Sequence, residues 1–187
     1  MAEIPVERCI TGRDLTEPRL APDGSCLVYA VSTGRDRALL WQPLDGSAVR
    51  QLTAYPSPAT GRGMGGGCWC WLPDATAVIY AAADGELWLQ PVPGGGVRRL
   101  TFHGPQHVAA APVVTADGTT LVYVIDEAEV WSKPTVGGAA IRLDDGSADF
   151  CFDPALSPAP LGDTALGDTA LGNTALGDTA LGDTALG

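Results

Sequence analysis

The strongest constraint on the fold of this chain is a segment that occurs three times in the same residue order. Each copy has a turn with Asp, an apolar stretch that reaches a Tyr, a stretch with a Trp, and an Arg followed closely by Leu. The tyrosines lie 51 and then 43 residues apart, and the tryptophans 47 and then 43. They are Tyr29, Tyr80 and Tyr123, and Trp41, Trp88 and Trp131. A repeat of this length predicts similar units that stack on one another.

Each unit carries the signals of four short strands. Asp followed by Gly, as in Asp23-Gly24, favours a tight turn because Asp bonds its own backbone and Gly accepts positive φ. An apolar stretch follows the turn, and then come the Trp stretch and a short segment that ends in Arg-x-Leu in the first two units and in Arg-Leu in the third. A further strand precedes the turn, at 68–71 in the second unit and 110–114 in the third. Four short strands in roughly 40 residues predict a β-propeller blade.

The predicted fold class is all-β, an incomplete β-propeller of about three four-stranded blades with a low-complexity C-terminal tail. The 24 Gly and 15 Pro among 187 residues agree with many turns and exclude a helical bundle. We expect a partial β-propeller over residues 1–158, with blades at about 13–53, 68–101 and 108–143. A fourth unit begins at 149–158, where Leu156-Ser157-Pro158 parallels Leu20-Ala21-Pro22.

Residues 161–187 form the tail, in which Leu-Gly-Asp-Thr-Ala repeats with one variant, Asn173. Glycine at every fifth position disfavours a helix, and one Leu in five is thin for a core. The tail is therefore predicted to be disordered. The alternative is a coil of a pentapeptide-repeat β-helix with Leu pointing inward, although such solenoids need several stacked units.

Charge and composition exclude several classes of function. The chain has 11 Lys+Arg against 22 Asp+Glu, a net charge of −11, so binding to nucleic acid through its phosphates is excluded. The N-terminus shows no apolar signal region, and the longest apolar runs are far too short to span a membrane. Five cysteines are an odd number, which favours reduced thiols. We expect a cytoplasmic protein.

The blade pattern resembles the TolB-like propeller repeat, through Pro-Asp-Gly, Leu-Val-Tyr, Trp-x-x-Pro and Arg-x-Leu-Thr. It is more closely similar to the N-terminal propeller of the prolyl oligopeptidase and dipeptidyl aminopeptidase family of serine peptidases, through residues 11–20 and 108–118. The resemblance covers about residues 11–158. It implies blades of a ring that caps an α/β-hydrolase domain and restricts entry to peptides.

That resemblance brings no catalytic residue with it. The family's Ser, Asp and His lie in the hydrolase domain, and this sequence has no Gly-x-Ser-x-Gly nucleophile elbow. We therefore expect no enzyme activity, no catalytic or metal-binding residue and no cofactor. The leading hypothesis is a non-catalytic propeller fragment of such a peptidase, separated from the catalytic domain by truncation or frameshift, whose role is substrate gating and domain packing.

Partners follow from the same hypothesis. They would be a peptidase catalytic domain, or other copies of the chain that pair through open blade edges. The first alternative function is a stand-alone TolB-like propeller module for protein interaction that self-assembles. The second is a chain with no stable function, because an incomplete ring exposes apolar blade faces.

Two motifs suggest ligands but fit structural roles better. Residues 61–66 match G-x-G-x-x-G, yet no helix is expected after them, so we interpret them as a loop between blades. Cys68 and Cys70 are expected on the same side of a strand, as small core hydrophobes. The alternative is a metal site made by these two thiols with Cys151 or with His103 and His107, but Cys-x-Cys alone lacks the usual zinc spacing.

Three further groups are candidates. His103 and His107 lie in the stretch between units two and three, and we expect a solvated loop. The carboxylate groups Asp126-Glu127-Glu129 and Asp144-Asp145 could hold Ca²⁺ or act as acid and base, but predicted hairpin turns favour solvated acids. The tryptophans are expected at the same place in each blade, where they pack between blades.

Overall fold

The computed structural model describes residues 12–34, 36–60, 67–147 and 150–157. The G-x-G-x-x-G motif at 61–66 and the tail at 161–187 lie outside the described residues. A boundary after Leu156 divides the chain into two units, and Ser157 is the one described residue of the second unit. In the described part, no helix has the length and apolarity of a membrane span.

Twelve strands of the described residues form three antiparallel sheets, each with four strands. Blade 1 contains β1 (Asp14–Leu20), β2 (Cys26–Thr33), β3 (Asp36–Pro43) and β4 (Arg50–Gln51). Blade 2 contains β5 (Trp69–Trp71), β6 (Ala77–Ala81), β7 (Leu87–Pro91) and β8 (Arg98–Arg99). Blade 3 contains β9 (Ala109–Val114), β10 (Thr120–Ile125), β11 (Glu129–Pro134) and β12 (Ile141–Arg142). Consecutive strands pair within each sheet, which confirms the predicted fold class.

The Asp turns join the first and second strands of every blade. Asp23 Oδ1 accepts the Ser25 N–H at 2.9 Å, and Asp117 Oδ1 accepts the Thr119 N–H at 3.0 Å. The residue after each of these Asp is a glycine with φ near +73° or +74°. Blade 2 departs from this pattern, because Ala75 takes the glycine position at φ +60°. A left-handed alanine is strained by its Cβ.

A side-chain hydrogen bond to the backbone joins the last two strands of each blade. The Leu39 N–H donates to Thr53 Oγ1 at 2.8 Å, and the Leu87 N–H donates to Thr101 Oγ1 at 2.8 Å. Blade 3 has an aspartate at this place, and Asp144 Oδ2 accepts the Val130 N–H at 2.7 Å. The two partners are 14 residues apart in every blade. A fourth strand of only two residues is thereby held at the sheet edge.

The core lies between the blades. One cluster joins blades 1 and 2 through Val28, Leu39, Trp69, Val78 and Tyr80. A second cluster joins blades 2 and 3 and includes Ile79, Leu87, Leu121, Tyr123 and Ile125. All five residues of β6 are buried because blade 2 has a neighbour on each face. In blade 1, β2 alternates between buried and half-buried residues along most of its length.

The strand register corrects the prediction that all three tryptophans occupy one position. Tyr80 pairs with Trp88 and Tyr123 pairs with Trp131, whereas Tyr29 pairs with Leu40. Trp41 lies one residue further along, opposite Val28. Successive side chains of a strand point to opposite faces, so Trp41 faces blade 2 across the first cluster. Trp88 packs against that same cluster from blade 2, and Trp131 packs against the second one.

Residues 150–156, where the sequence predicts the start of a fourth unit, form no regular strand. The Cys151 N–H donates to Glu127 O at 2.7 Å, just as the Ala109 N–H of blade 3 donates to Gly85 O of blade 2 at 2.8 Å. Positive φ before a proline recurs as well. It occurs at Glu17, Ala111 and Asp153, each followed directly by Pro.

Candidate functional site

The most elaborate polar arrangement of the described residues lies where blade 2 passes into blade 3. Its centre is Glu86, which is 1% exposed and directly precedes β7. One carboxylate oxygen accepts bonds from Arg99 Nη2 at 2.6 Å, the His103 N–H at 2.8 Å and the Gly104 N–H at 3.0 Å. The other accepts the Thr101 hydroxyl at 2.6 Å. Glu86 therefore fixes the start of the loop between the blades.

These bonds also set the charge of the carboxylate. Burial raises the pKa of Glu86, but the bonds from Thr101, Gly104 and Arg99 outweigh burial, so its pKa lies below the ordinary value. A carboxylate that is ionised and bonded on both oxygens is already fully engaged. Its role is to position the loop rather than to transfer a proton.

His103 points inward from the loop. Its Nε2 lies 2.9 Å from the Tyr123 hydroxyl, and the tautomer decides which group donates. The imidazole also meets the Trp131 ring edge-on, with centroids 5.4 Å apart. Burial lowers the pKa of His103, so the ring is neutral at pH 7. It acts as a polar contact between the two blades.

His107 has a different partner. Its Nδ1 lies 2.7 Å from Asp126 Oδ2, and Asp126 Oδ1 accepts the Val108 N–H at 2.8 Å. Asp126 and Glu127 form the turn between β10 and β11 with φ of +54° and +57°. Burial raises the pKa of Asp126, but the bonds from His107 and Val108 outweigh it, and its pKa is lowered. The pair holds a strained turn against the loop.

Two of the other predicted acids, Glu129 and Asp144, pair with one arginine. Arg142 Nη1 lies 2.7 Å from Glu129 Oε1, and its Nη2 lies 2.6 Å from Asp144 Oδ1. The bonds from Arg142 and from the backbone keep the pKa of Asp144 well below its usual range. Asp145 accepts the Ser147 N–H in the following turn at 2.9 Å. Each of these acids has a structural partner in the described residues.

The cysteines correct another prediction, because Cys68 and Cys70 do not lie on the same side. Cys68 belongs to the cluster between blades 1 and 2, and Cys70 to the cluster between blades 2 and 3. The strand begins only at Trp69, and the Cys68 N–H is held by Glu17 Oε2 at 2.6 Å, so the alternation of faces starts after Cys68. Burial raises the pKa of Cys70 to about 12, which makes its thiol inert.

Cys68 and Cys151 line the same small cavity of about 20 Å³, together with Glu17 and Phe152. The four described cysteines are free thiols. Among the described residues no three metal-ligating side chains come together, and neither histidine lies with the cysteines in this cavity.

Sequence reasoning identified the two histidines but missed Glu86 and Arg99. The usable signal was the pairing of Glu86 with Arg99 thirteen residues on, which recurs as Glu129 with Arg142 in blade 3. The hydrogen bonds and ion pairs of this junction hold the loop and the two blades together. The imidazole of His103 bonds the Tyr123 hydroxyl, and that of His107 bonds the Asp126 carboxylate. Through these bonds neither histidine activates a serine or cysteine nucleophile.

Comparison by sequence gives no match. No protein-family model matches the chain, and neither does any curated protein.

Solved structures do match. TolB from Acinetobacter baumannii matches with a TM-score of 0.53 at 21% identity, over 67% of this chain and 31% of that one. A structure from a study of two prolyl endopeptidases matches with a TM-score of 0.52 at 14% identity, over 73% of this chain and 22% of that one. Oligopeptidase B from Leishmania major matches with a TM-score of 0.48 at 18% identity, over 76% of this chain and 22% of that one.

The chain spans about a third or less of the length of these proteins. The TM-scores of TolB and of the prolyl endopeptidase show a common fold, and identities this low carry no activity across. Together with the three meandering sheets, they confirm the resemblance seen in the repeats. The described residues form three blades of a TolB-like propeller similar to the N-terminal propeller of prolyl oligopeptidase family enzymes.

Proposed function

We propose that this chain is a non-catalytic propeller segment of a prolyl oligopeptidase family peptidase. Its role there would be to gate the entry of substrate and to pack against neighbouring blades and the catalytic domain. The similarity to a prolyl endopeptidase over 73% of the chain supports the proposed family. The terminal face of blade 1, which is the face opposite blade 2, supports the packing role.

That terminal face is the observation that carries the proposal. Blades 2 and 3 use Tyr80 and Tyr123 to pack on the preceding blade, and both tyrosines are fully buried. The equivalent Tyr29 of blade 1 is only half-buried and lines an open groove of about 320 Å³ with Leu15 and Leu27. Leu15 is 62% and Leu20 60% exposed. Among the described residues, nothing takes the place of a preceding blade.

The test of the catalytic part of the proposal is hydrolysis of a chromogenic dipeptide by the pure protein. We expect no turnover above that of buffer, because the sequence contains no nucleophile elbow. Hydrolysis that a serine-directed inhibitor abolishes would contradict the proposal.

A second candidate function is self-assembly, which the same apolar face favours. A second copy would then supply the missing neighbour by a head-to-tail contact. Light scattering separates the two: Leu15→Glu should reduce the mass of any assembly to that of one chain, whereas Leu44→Glu, at an exposed turn outside the face, should leave it unchanged. A wild-type protein that is already monomeric rules this second candidate out.

A further inference from the structure

An open groove of about 380 Å³ between blades 2 and 3 concentrates positive charge in an acidic protein. Its lining includes the cations Arg98, Arg99 and Lys133, together with the neutral His103 and with Tyr123. No carboxylate side chain is among the described residues that line it, although the chain has 22 acidic residues. A positively charged groove in a protein with a net charge of −11 needs a physical reason.

Lys133 is the least expected member of the groove. It is 8% exposed, and its Nζ donates to the Leu100 carbonyl at 2.7 Å. A buried ammonium normally has a carboxylate partner, because taking a charge out of water is costly. No ion pair of Lys133 is found among the described residues, and burial together with the charge of Arg98 lowers its pKa.

Arg98 adds a second cation without a carboxylate. Its Nη2 donates to the Thr135 carbonyl at 3.3 Å, and it has no ion pair in the described part of the chain. Arg99 differs, because Glu86 lies 2.6 Å from its guanidinium. The groove therefore holds two positive charges that the described residues do not compensate.

The other blades show that packing does not require this charge. Lys133 pairs with Leu121 in the sheet, and the equivalent positions hold Gln42 in blade 1 and Gln90 in blade 2. The Gln90 amide donates to carbonyls of its own blade at 3.0 and 3.3 Å. A neutral amide thus occupies this strand position in blade 2, whereas the ammonium of blade 3 reaches the Leu100 carbonyl of the neighbouring blade.

We propose that this groove is a binding site for a compact oxyanion, either a carboxylate or a phosphate group. Lys133 and Arg98 would supply charge-assisted donors, which are the strongest hydrogen bonds available to such groups. Gly137 and Gly138 form part of the wall without side chains, and the space beside Gly137 is open, since a Cβ there would meet no atom within 4 Å. The site depends on the blade fold and not on the proposed peptidase family.

The test uses the fact that Lys133 is the only lysine in the sequence. In NMR spectra of tag-free, ¹³C-labelled protein, its Cε–Hε correlations come from this one residue, and their absence from the spectrum of Lys133→Gln identifies them. Sodium phosphate and sodium glutarate are titrated separately, at an ionic strength held constant with sodium chloride. We expect a saturable shift of this signal with at least one of the two anions.

Variants separate a site from general screening. Arg98→Gln should weaken the affinity about tenfold, because one charged donor is lost. Arg50→Gln is the matched control, since Arg50 holds the equivalent place in blade 1 outside the groove, and it should leave the affinity within about twofold. Lys133→Gln, the residue of the other blades, should abolish binding measured by calorimetry while the protein stays folded.

Each outcome decides the matter. A shift with phosphate alone identifies a phosphate site, a shift with glutarate alone a carboxylate site, and a shift with both a general oxyanion site. No saturable shift with either anion overturns the proposal. It is also overturned if Arg98→Gln binds as tightly as the wild type, or if Arg50→Gln loses as much affinity as Arg98→Gln. Peptidase assays do not enter this test, so its failure is distinct from failure of the proposed function.

Discussion

Thr101 Oγ1 accepts the N–H of Leu87 at 2.8 Å and at the same time donates to Glu86 Oε2 at 2.6 Å. One hydroxyl therefore joins the outermost strand of blade 2 to the strand beside it and to the loop that leads into blade 3. In blade 1, Thr53 makes the first of these bonds to Leu39, and the place of Glu86 is taken by Ala38.

The two threonines give a matched pair of variants. Thr101→Val should lower the free energy of unfolding by about 3 kcal/mol, because both the Leu87 N–H and a Glu86 oxygen lose a buried partner. Thr53→Val should cost about 1.5 kcal/mol, since only the Leu39 N–H is affected. Urea unfolding at pH 7 measures both. Equal losses would show that the bond to Glu86 adds nothing.

Glu86 also predicts how stability depends on pH. Its pKa is lowered in the folded chain, so below about pH 4.3, the ordinary Glu value, the unfolded chain binds more protons and stability falls as the pH falls. Glu86→Gln should lose roughly 3 kcal/mol at pH 7, because Arg99 and two N–H groups lose a charged acceptor. The variant should also show a shallower loss of stability on acidification.

The pH experiment compares urea midpoints of the wild type and Glu86→Gln from pH 7 down to pH 3. The difference between the two proteins should shrink as the pH falls, since protonated Glu86 resembles Gln. A difference that stays constant would mean that Glu86 ionises as easily in the unfolded chain as in the folded one. Aspartates whose pKa is lowered, such as Asp117, change the stability of both proteins equally as the pH falls, so their effect cancels in the difference.

The strained turn of blade 2 predicts a stabilising change. Ala75→Gly should raise the free energy of unfolding by roughly 1 kcal/mol, because glycine adopts φ +60° without strain. Gly24→Ala in blade 1 is the reciprocal variant and should cost a similar amount, since a Cβ there meets no atom within 4 Å and only the φ of +73° opposes it. Thermal unfolding measures both. Destabilisation by Ala75→Gly would mean that the Ala75 side chain contributes a contact that outweighs the strain.

Much of the fold could be predicted from the repeats. Asp turns, apolar stretches and short Arg-x-Leu segments are local signals, and each produced a strand or a turn of the structure. The predicted position of Trp41 was wrong because the repeats were aligned by residue type, whereas the strand register decides which residues face each other. Trp41 lies 12 residues after Tyr29, whereas Trp88 and Trp131 lie 8 residues after their tyrosines, so the hairpin of blade 1 is longer.

The junction between blades 2 and 3 was less accessible to prediction. The sequence indicated a loop with two histidines, but the partners of that loop come from distant positions. Tyr123 lies 20 residues from His103, and Asp126 lies 19 residues from His107. The bond from Cys68 to Glu17 spans 51 residues, and it sets which side Cys68 faces. Such contacts depend on how the blades stack, which no local pattern specifies.

Amide hydrogen exchange tests the central claim most directly, namely that blade 2 is enclosed between neighbours while blade 1 keeps an open face. The amides of β6, where every residue is buried, should exchange at least about tenfold more slowly than those of β2, which lies against an open face. Both strands pair on two sides, so backbone hydrogen bonding alone predicts no difference. Exchange of β2 as slow as that of β6 would contradict the account.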